Sequence, residues 1–118
     1  MSAEQVRKTL KQEAELLGQM IKFVESVETK GLTTRAEVVQ RSWARFLGER
    51  KQNNEALAKT ADAELLADLG EELNQVKCYI VQTRTHPDYT ETWETFLKCE
   101  RDILEVFIRK INDEKAAE

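Results

Sequence analysis

The chain has 118 residues, of which 41% are apolar, 34% charged and 7% aromatic, with four Gly and one Pro. This length fits one domain, and so few turn-forming residues cannot separate the many short strands of an all-β fold. Eighteen Lys and Arg against 22 Asp and Glu give a net charge of −4, which argues against nucleic acid as the main partner.

The composition also favours an intracellular protein, cytoplasmic or nuclear. No apolar segment follows Met1 that could act as a signal peptide, and two cysteines are too few for the disulfide framework of a small secreted domain. No apolar run approaches the roughly 20 residues that a membrane span requires. A domain of this size removes about two-thirds of its unfolded surface from water, so we expect neither a cofactor nor a metal.

The first predicted helix covers about residues 3–29. Ser2 and Gln5 have the spacing of a capping box, which marks a helix start. Gly31 is expected to end the helix as the residue after its C-cap. The apolar residues between them recur at steps of three and four, the period of a helix: Val6, Leu10, Ala14, Leu17, Ile21, Val24 and Val27.

A second helix is predicted over about 34–59, opened by a capping box of Thr34 and Glu37. After an apolar stretch it carries no apolar residue for two turns, over 49–55. We expect this polar interval to lie at a bundle end, in solvent or against an acidic partner. A short break near 59–62 follows, and one long bent helix is the alternative.

A third helix is predicted over about 62–84, with the heptad-like apolar spacing typical of coiled-coil packing. Gly70 inside it is expected to mark a close contact with another helix. Pro87 predicts a loop, since the residue before a proline avoids helical geometry. A fourth helix is expected over about 89–112, and the tail 113–118 is expected to fray because it lacks an apolar anchor.

Four helices with short connections predict an all-α fold, an antiparallel four-helix bundle of two helical hairpins that forms a single domain over 1–118. Fifty residues separate two copies of one pattern: Trp43, Phe46 and Leu47 recur as Trp93, Phe96 and Leu97. Either an internal duplication or two similar core faces would explain this repeat.

No pattern predicts a catalytic centre. His86 is the only histidine, so a di-iron bundle is excluded and His86 is expected to be a solvated loop residue. Cys78 and Cys99 are expected to be packed thiols. Carboxylates at i,i+3 spacing leave a Mg²⁺-dependent nucleotide hydrolase as an alternative, through the pairs Glu25/Glu28, Asp68/Glu71, Glu91/Glu94 and Asp102/Glu105.

The favoured function is a non-catalytic module for protein–protein interaction or oligomerisation. Surplus apolar surface is expected at Phe23, Leu47 and Ile108. Polar contacts to the partner are expected from the second helix, through Arg41, Arg45, Arg50, Lys51 and Asn54. Because residues 34–60 carry six basic and three acidic side chains, a phosphate or nucleic-acid binder is a further alternative.

One family resemblance covers residues 31–84. It rests on Leu32-Thr33, Arg41-x-Trp43-x-x-Phe46, Asn54-x-x-Leu57, Glu71-Glu72 and Tyr79. This run resembles the helical segment near the start of Gag-type polyproteins of BEL/Pao retroelements, in which a Trp-x-x-Phe helix precedes a helix with acidic and Tyr positions. The resemblance implies a Gag-derived helical module that self-associates or binds another protein.

Overall fold

The computed structural model describes residues 2–28, 34–85 and 91–117, and within these ranges it consists of helices and short turns. Four helices follow one another along the chain: α1 (Ala3–Ser26), α2 (Thr34–Ala58), α3 (Asp62–Thr83) and α4 (Glu91–Ala117). The predicted all-α class and number of helices are confirmed. The predicted roles of Gly31, His86 and Pro87, and the first residues of the fourth helix, lie outside the described residues.

The capping box at the start of α1 is present. The backbone N–H of Gln5 donates to Ser2 Oγ at 3.1 Å, and the backbone N–H of Ser2 donates to Gln5 Oε1 at 2.8 Å. The predicted end near residue 29 is three residues late, because Val27 already has extended backbone geometry and its N–H donates to the Val24 carbonyl. The predicted capping box at Thr34 involves a side chain that lies outside the described part of the structure.

Helices α2 and α3 are separate, as predicted. The N–H groups of Lys59 and Thr60 donate to the carbonyls of Ala56 and Leu57, which tightens the last turn before the chain leaves the helix. Helix α3 then begins at Asp62 without a side-chain cap. The long bent helix is therefore wrong.

Helix α4 extends beyond its predicted end at Asn112. It continues to Ala117, because Glu114, Lys115 and the two alanines that follow favour helix and no Gly or Pro interrupts them. Residues 113–117 are exposed. Fraying of this tail stays a prediction.

Hydrogen bonds between helices show that the first hairpin is antiparallel. Near the start of α2, Gln40 Nε2 donates to the carbonyls of Val24 and Val27, both at 2.7 Å. At the opposite end, Arg7 Nε donates to the Thr60 carbonyl at 3.0 Å. Short connections thus return the chain beside the helix it has left, as in bundles generally.

The second hairpin, α3 with α4, is held in the same way. Arg84 Nε lies 2.9 Å from Glu94 Oε1, and Lys77 Nζ lies 3.8 Å from Glu105 Oε1. The two hairpins pack into an elongated bundle of 59 × 26 × 17 Å. One continuous apolar core runs through it and includes Val6, Leu10, Leu17, Leu47, Leu65, Leu69, Val76, Leu97, Leu104 and Phe107.

The two copies of the Trp-x-x-Phe pattern meet in this bundle. The ring of Trp43 lies 5.8 Å from that of Trp93, and the ring of Phe46 lies 5.3 Å from Trp93 and 5.7 Å from Phe96, measured between centroids. Most of these pairs are edge to face, the arrangement aromatic quadrupoles prefer. The cluster therefore joins α2 of one hairpin to α4 of the other.

Two local expectations are wrong. A Cβ placed at Gly70 would meet nothing within 4 Å, so this glycine does not mark a close helix contact. Cys78 and Cys99 are both exposed and not packed thiols, because each lies outside the stripe that its helix buries.

Candidate functional site

Two polar side chains of α2 lie in the centre of the bundle. Arg50 and Asn54 are each 1% exposed and sit between the apolar core residues Leu47 and Leu57. The steps from 47 to 50, 54 and 57 are three, four and three, so these polar residues continue the buried stripe of the helix. The expectation that Arg50 and Asn54 face solvent or a partner is therefore wrong.

The guanidinium of Arg50 is surrounded by carboxyl groups from the other helices. Its Nη1 forms an ion pair with Glu72 of α3, and its Nη2 lies 3.6 Å from Oε2 of Glu100 of α4. Asn53 Nδ2 also donates to Glu72 Oε1, at 3.2 Å. On the far side, Glu100 is hydrogen-bonded to Glu13 of α1. This buried charge cluster therefore connects all four helices.

Burial raises the pKa of Glu100 from 4.5 to about 8. A side-chain hydrogen bond with Glu13 and the negative charge of Glu13 act in the same direction, while Arg50 opposes them only in part. Arg50 is shared between Glu72 and Glu100, so its charge only partly offsets the burial of Glu100.

Some polar atoms of this cluster have no hydrogen-bond partner within the described residues. They are Nε and Nη2 of Arg50 and both amide atoms of Asn54. Buried polar groups of this kind are expensive, so a well-packed apolar layer would be at least as stable. A shift of α2 by one turn would leave these charges without their partners.

The carboxylates predicted as magnesium ligands are not brought together. Most of them are exposed, namely Glu25, Glu28, Glu71, Glu91, Asp102 and Glu105. Asp68 is half-buried, and Glu94 is buried and pairs with Arg84. Over the ranges 2–28, 34–85 and 91–117 no group of three His, Cys, Asp or Glu side chains has the arrangement needed to hold a metal ion. The buried carboxylates face a guanidinium instead, which occupies the place a cation would need.

A second row of apolar side chains on α1 is exposed to solvent. Leu16, Met20, Phe23 and Val27 are 58%, 39%, 70% and 46% exposed. Steps of four and three put Leu16, Met20 and Phe23 on one line along the helix, beside the core-facing line of Leu10, Ala14 and Leu17, and Val27 follows directly after the last helical residue. We name these four residues the α1 stripe.

A groove runs between α2 and the second hairpin. It has a volume of about 510 Å³, and its floor is formed by the buried side chains Phe46, Trp93 and Leu97. Arg41 and Arg45, one helical turn apart, stand on its α2 rim, and Tyr79 and Gln82 stand on the α3 rim. We name it the arginine groove.

The predicted partner-binding residues are thus separated. Leu47, like Arg50 and Asn54, is buried, so the surplus apolar surface expected at Leu47 does not exist. Ile108 is half-buried against the core, and Lys51 pairs with Glu55 on its own helix. Phe23, Arg41 and Arg45 are exposed, on two different surfaces. The basic residues predicted on α2 do not form one surface, because Arg50 is buried in the core.

Sequence reasoning missed the acidic partners of Arg50, Glu72 and Glu100, and the interaction of Glu100 with Glu13. A signal existed for Arg50 and Glu100, which occupy matching positions of the fifty-residue repeat, one turn after Leu47 and Leu97 respectively. Opposite charges at matching positions of two core faces predict a buried pair. Glu13 and Glu72 carry no comparable signal, because both look like ordinary surface acids.

Comparison of the chain with protein-family models, curated sequences and solved structures finds no match. The resemblance of residues 31–84 to a Gag-type domain is therefore untested and stays a prediction. None of the helices, over the part of the chain that is described, combines the length and the apolar character needed to cross a membrane.

Proposed function

We propose that the chain is a non-catalytic helical module that self-associates through the α1 stripe. The observation that carries this proposal is the exposure of three large apolar side chains at helical spacing along one face of α1, continued by Val27 at its C-cap. Scattered exposed apolar residues are ordinary, whereas contiguous patches on a monomer are often binding surfaces. The 70% exposure of Phe23 is the largest single contribution.

The composition of the stripe supports this reading. Leu16, Met20 and Val27 lie 49 positions before Leu65, Leu69 and Val76, which repeat the same apolar pattern in α3. Those three α3 residues are buried in the core, at 1% exposure or less. Helix α1 therefore presents outward a side-chain pattern that α3 buries against neighbouring helices.

A second copy of the chain fits this face better than a strongly charged partner. The side chains that border the stripe on the side away from the core are Gln12, Gln19 and Ser26, which are exposed and uncharged. A two-fold axis through the stripe places the same patch against itself, so any charge at the border would meet its own copy. With uncharged borders, this contact creates no like-charge repulsion.

The experiment is a comparison of two charge substitutions by sedimentation equilibrium at high micromolar concentration. Phe23→Glu lies in the stripe, and Val81→Glu is the matched control, since Val81 is 76% exposed on α3, outside the stripe. We expect the wild type and Val81→Glu to form dimers and Phe23→Glu to be a monomer with an unchanged thermal melt. A wild type that has the mass of one chain would refute the proposal.

The resemblance to a Gag-type domain is compatible with this proposal but does not carry it. That resemblance covers residues 31–84, which include α2 and α3 and exclude the α1 stripe. A Gag-derived origin would supply a reason for self-association. Removal of the stripe by substitution tests the proposed function whether or not that origin holds.

A further inference from the structure

We infer that the arginine groove binds a short acidic segment of a partner protein, with an apolar side chain on the groove floor and carboxylates on Arg41 and Arg45. This site is separate from the α1 stripe and independent of self-association. Its volume of about 510 Å³ lies within the range of about 300–1,000 Å³ typical of ligand sites.

The floor of the groove is suited to an apolar side chain. Phe46 and Trp93 stack edge to face at 5.3 Å, and Leu97 closes the floor beside them. All three are core residues fixed by packing, so the floor exists before anything binds. A preformed apolar surface loses little conformational entropy when an aromatic or aliphatic side chain enters it.

The rim carries two guanidinium groups, those of Arg41 and Arg45, against one carboxylate, Glu49, so its net charge favours an anionic partner. Arg41 is exposed and makes no ion pair with any residue in the described ranges, while Arg45 has only Glu49, with Nε and Oε1 3.6 Å apart. The Arg45 side chain is 84% exposed, so this intrahelical pair is weak and exchangeable. Two guanidinium groups one turn apart offer charge-assisted, directional donors to carboxylates.

A peptide fits this groove better than a nucleic acid. The helices across the groove from Arg41 and Arg45 are acidic, because residues 61–86 carry two basic and five acidic side chains and residues 87–118 carry five and nine. A long polyanion would extend over these surfaces and be repelled. One or two carboxylates held at the α2 rim avoid that repulsion.

Tryptophan fluorescence reports directly on this site. The chain has two tryptophans, Trp43 and Trp93, and both belong to the aromatic cluster under the groove. The probe is the capped peptide acetyl-Glu-Glu-Phe-Leu-amide, and its neutral analogue acetyl-Gln-Gln-Phe-Leu-amide is the first control. Titration is carried out on the Phe23→Glu chain, so that the oligomeric state does not affect the result.

We expect the acidic peptide to change the tryptophan emission saturably, with half-saturation below about 1 mM and weaker binding at high salt. The double variant Arg41→Gln, Arg45→Gln should raise the half-saturation concentration by about tenfold or more, while Arg109→Gln, which removes an exposed arginine outside the groove, should leave it unchanged.

Four results would overturn the inference. The first is no change in emission up to several millimolar peptide. The second is an equal response to the neutral analogue, and the third is an equal response in the double variant. The fourth is a response to a thymidine oligonucleotide at concentrations where the acidic peptide has no effect, which would assign the groove to nucleic acid.

Discussion

Arg50 of α2 and Glu100 of α4 lie 3.6 Å apart, Nη2 to Oε2, inside the bundle and in different hairpins. Beside them, the Trp43 and Phe46 rings of α2 pack on Trp93 and Phe96 of α4. Both contacts join positions that are fifty residues apart in the sequence. Within the continuous apolar core, one polar layer and one aromatic layer thus join the two hairpins.

Removal of Arg50 should destabilise the bundle severely. Arg50→Ala leaves Glu72 and Glu100 buried without their cation, and breaking a buried ion pair in this way costs roughly 3–5 kcal/mol. Lys51→Ala is the control. Lys51 pairs with Glu55 on its own, partly exposed helix face, so this substitution should cost about 0–1 kcal/mol. Urea unfolding measures both, and similar losses for the two variants would contradict the buried position of Arg50.

The free energy of unfolding should decrease as the pH rises from about 4.5 to about 8. The pKa of Glu100 is about 8 in the folded chain and near 4.5 when unfolded, so between these values the folded state binds more protons. Glu100→Gln keeps the neutral, hydrogen-bonded form at every pH. This variant should be more stable than the wild type at pH 8 and show a flatter dependence of stability on pH. A wild-type curve with no decrease over this range would show that Glu100 titrates normally.

Trp93→Ala should cost roughly 3–5 kcal/mol, because it removes the ring that contacts both Trp43 and Phe46 and leaves a large cavity. Chemical unfolding with circular dichroism measures this loss. A loss below about 1 kcal/mol would mean that the aromatic layer does not hold the hairpins together.

Gly70→Ala should stabilise the chain by about 1 kcal/mol. Alanine favours helix over glycine by about this amount, and nothing lies within 4 Å of the added methyl group. Gly18→Ala should gain less, because its methyl group would lie 3.2 Å from Lys51 Cε and displace that side chain. Thermal melts of the two variants compare the sites, and a loss of stability in Gly70→Ala would show that α3 packs more closely there.

Most of the fold could be predicted from the sequence because burial on one helix face imposes a period of 3.6 residues. The stripe from Val6 to Leu17 and the capping box at Ser2 both predicted α1 correctly. The predicted ends of α1 and α4 were less accurate, because extending or shortening a helix by a few exposed residues costs little energy.

The functional surfaces were harder to predict, for a physical reason. Arg50 and Asn54 occupy positions that the helical period places in the core. Their side chains are polar, however, and polar side chains are normally predicted to lie on the surface. Their burial depends on Glu72 and Glu100, which are distant in the chain and come together only in the folded bundle. In the same way, Leu16 and Met20 resemble core residues, and only the packed structure shows that the described helices leave them open.

Cross-linking across the α1 stripe tests the proposed self-association most directly. Met20→Cys is made in a Cys78→Ser, Cys99→Ser background, which removes the two exposed native thiols, and is treated with a short bismaleimide. Val81→Cys in the same background is the control. Because a two-fold contact brings the centre of the stripe close to its own copy, we expect covalent dimers from the Met20→Cys chain at about 100 μM and none from the control. Monomer alone from the Met20→Cys chain, or equal dimer from both chains, would contradict self-association through this face.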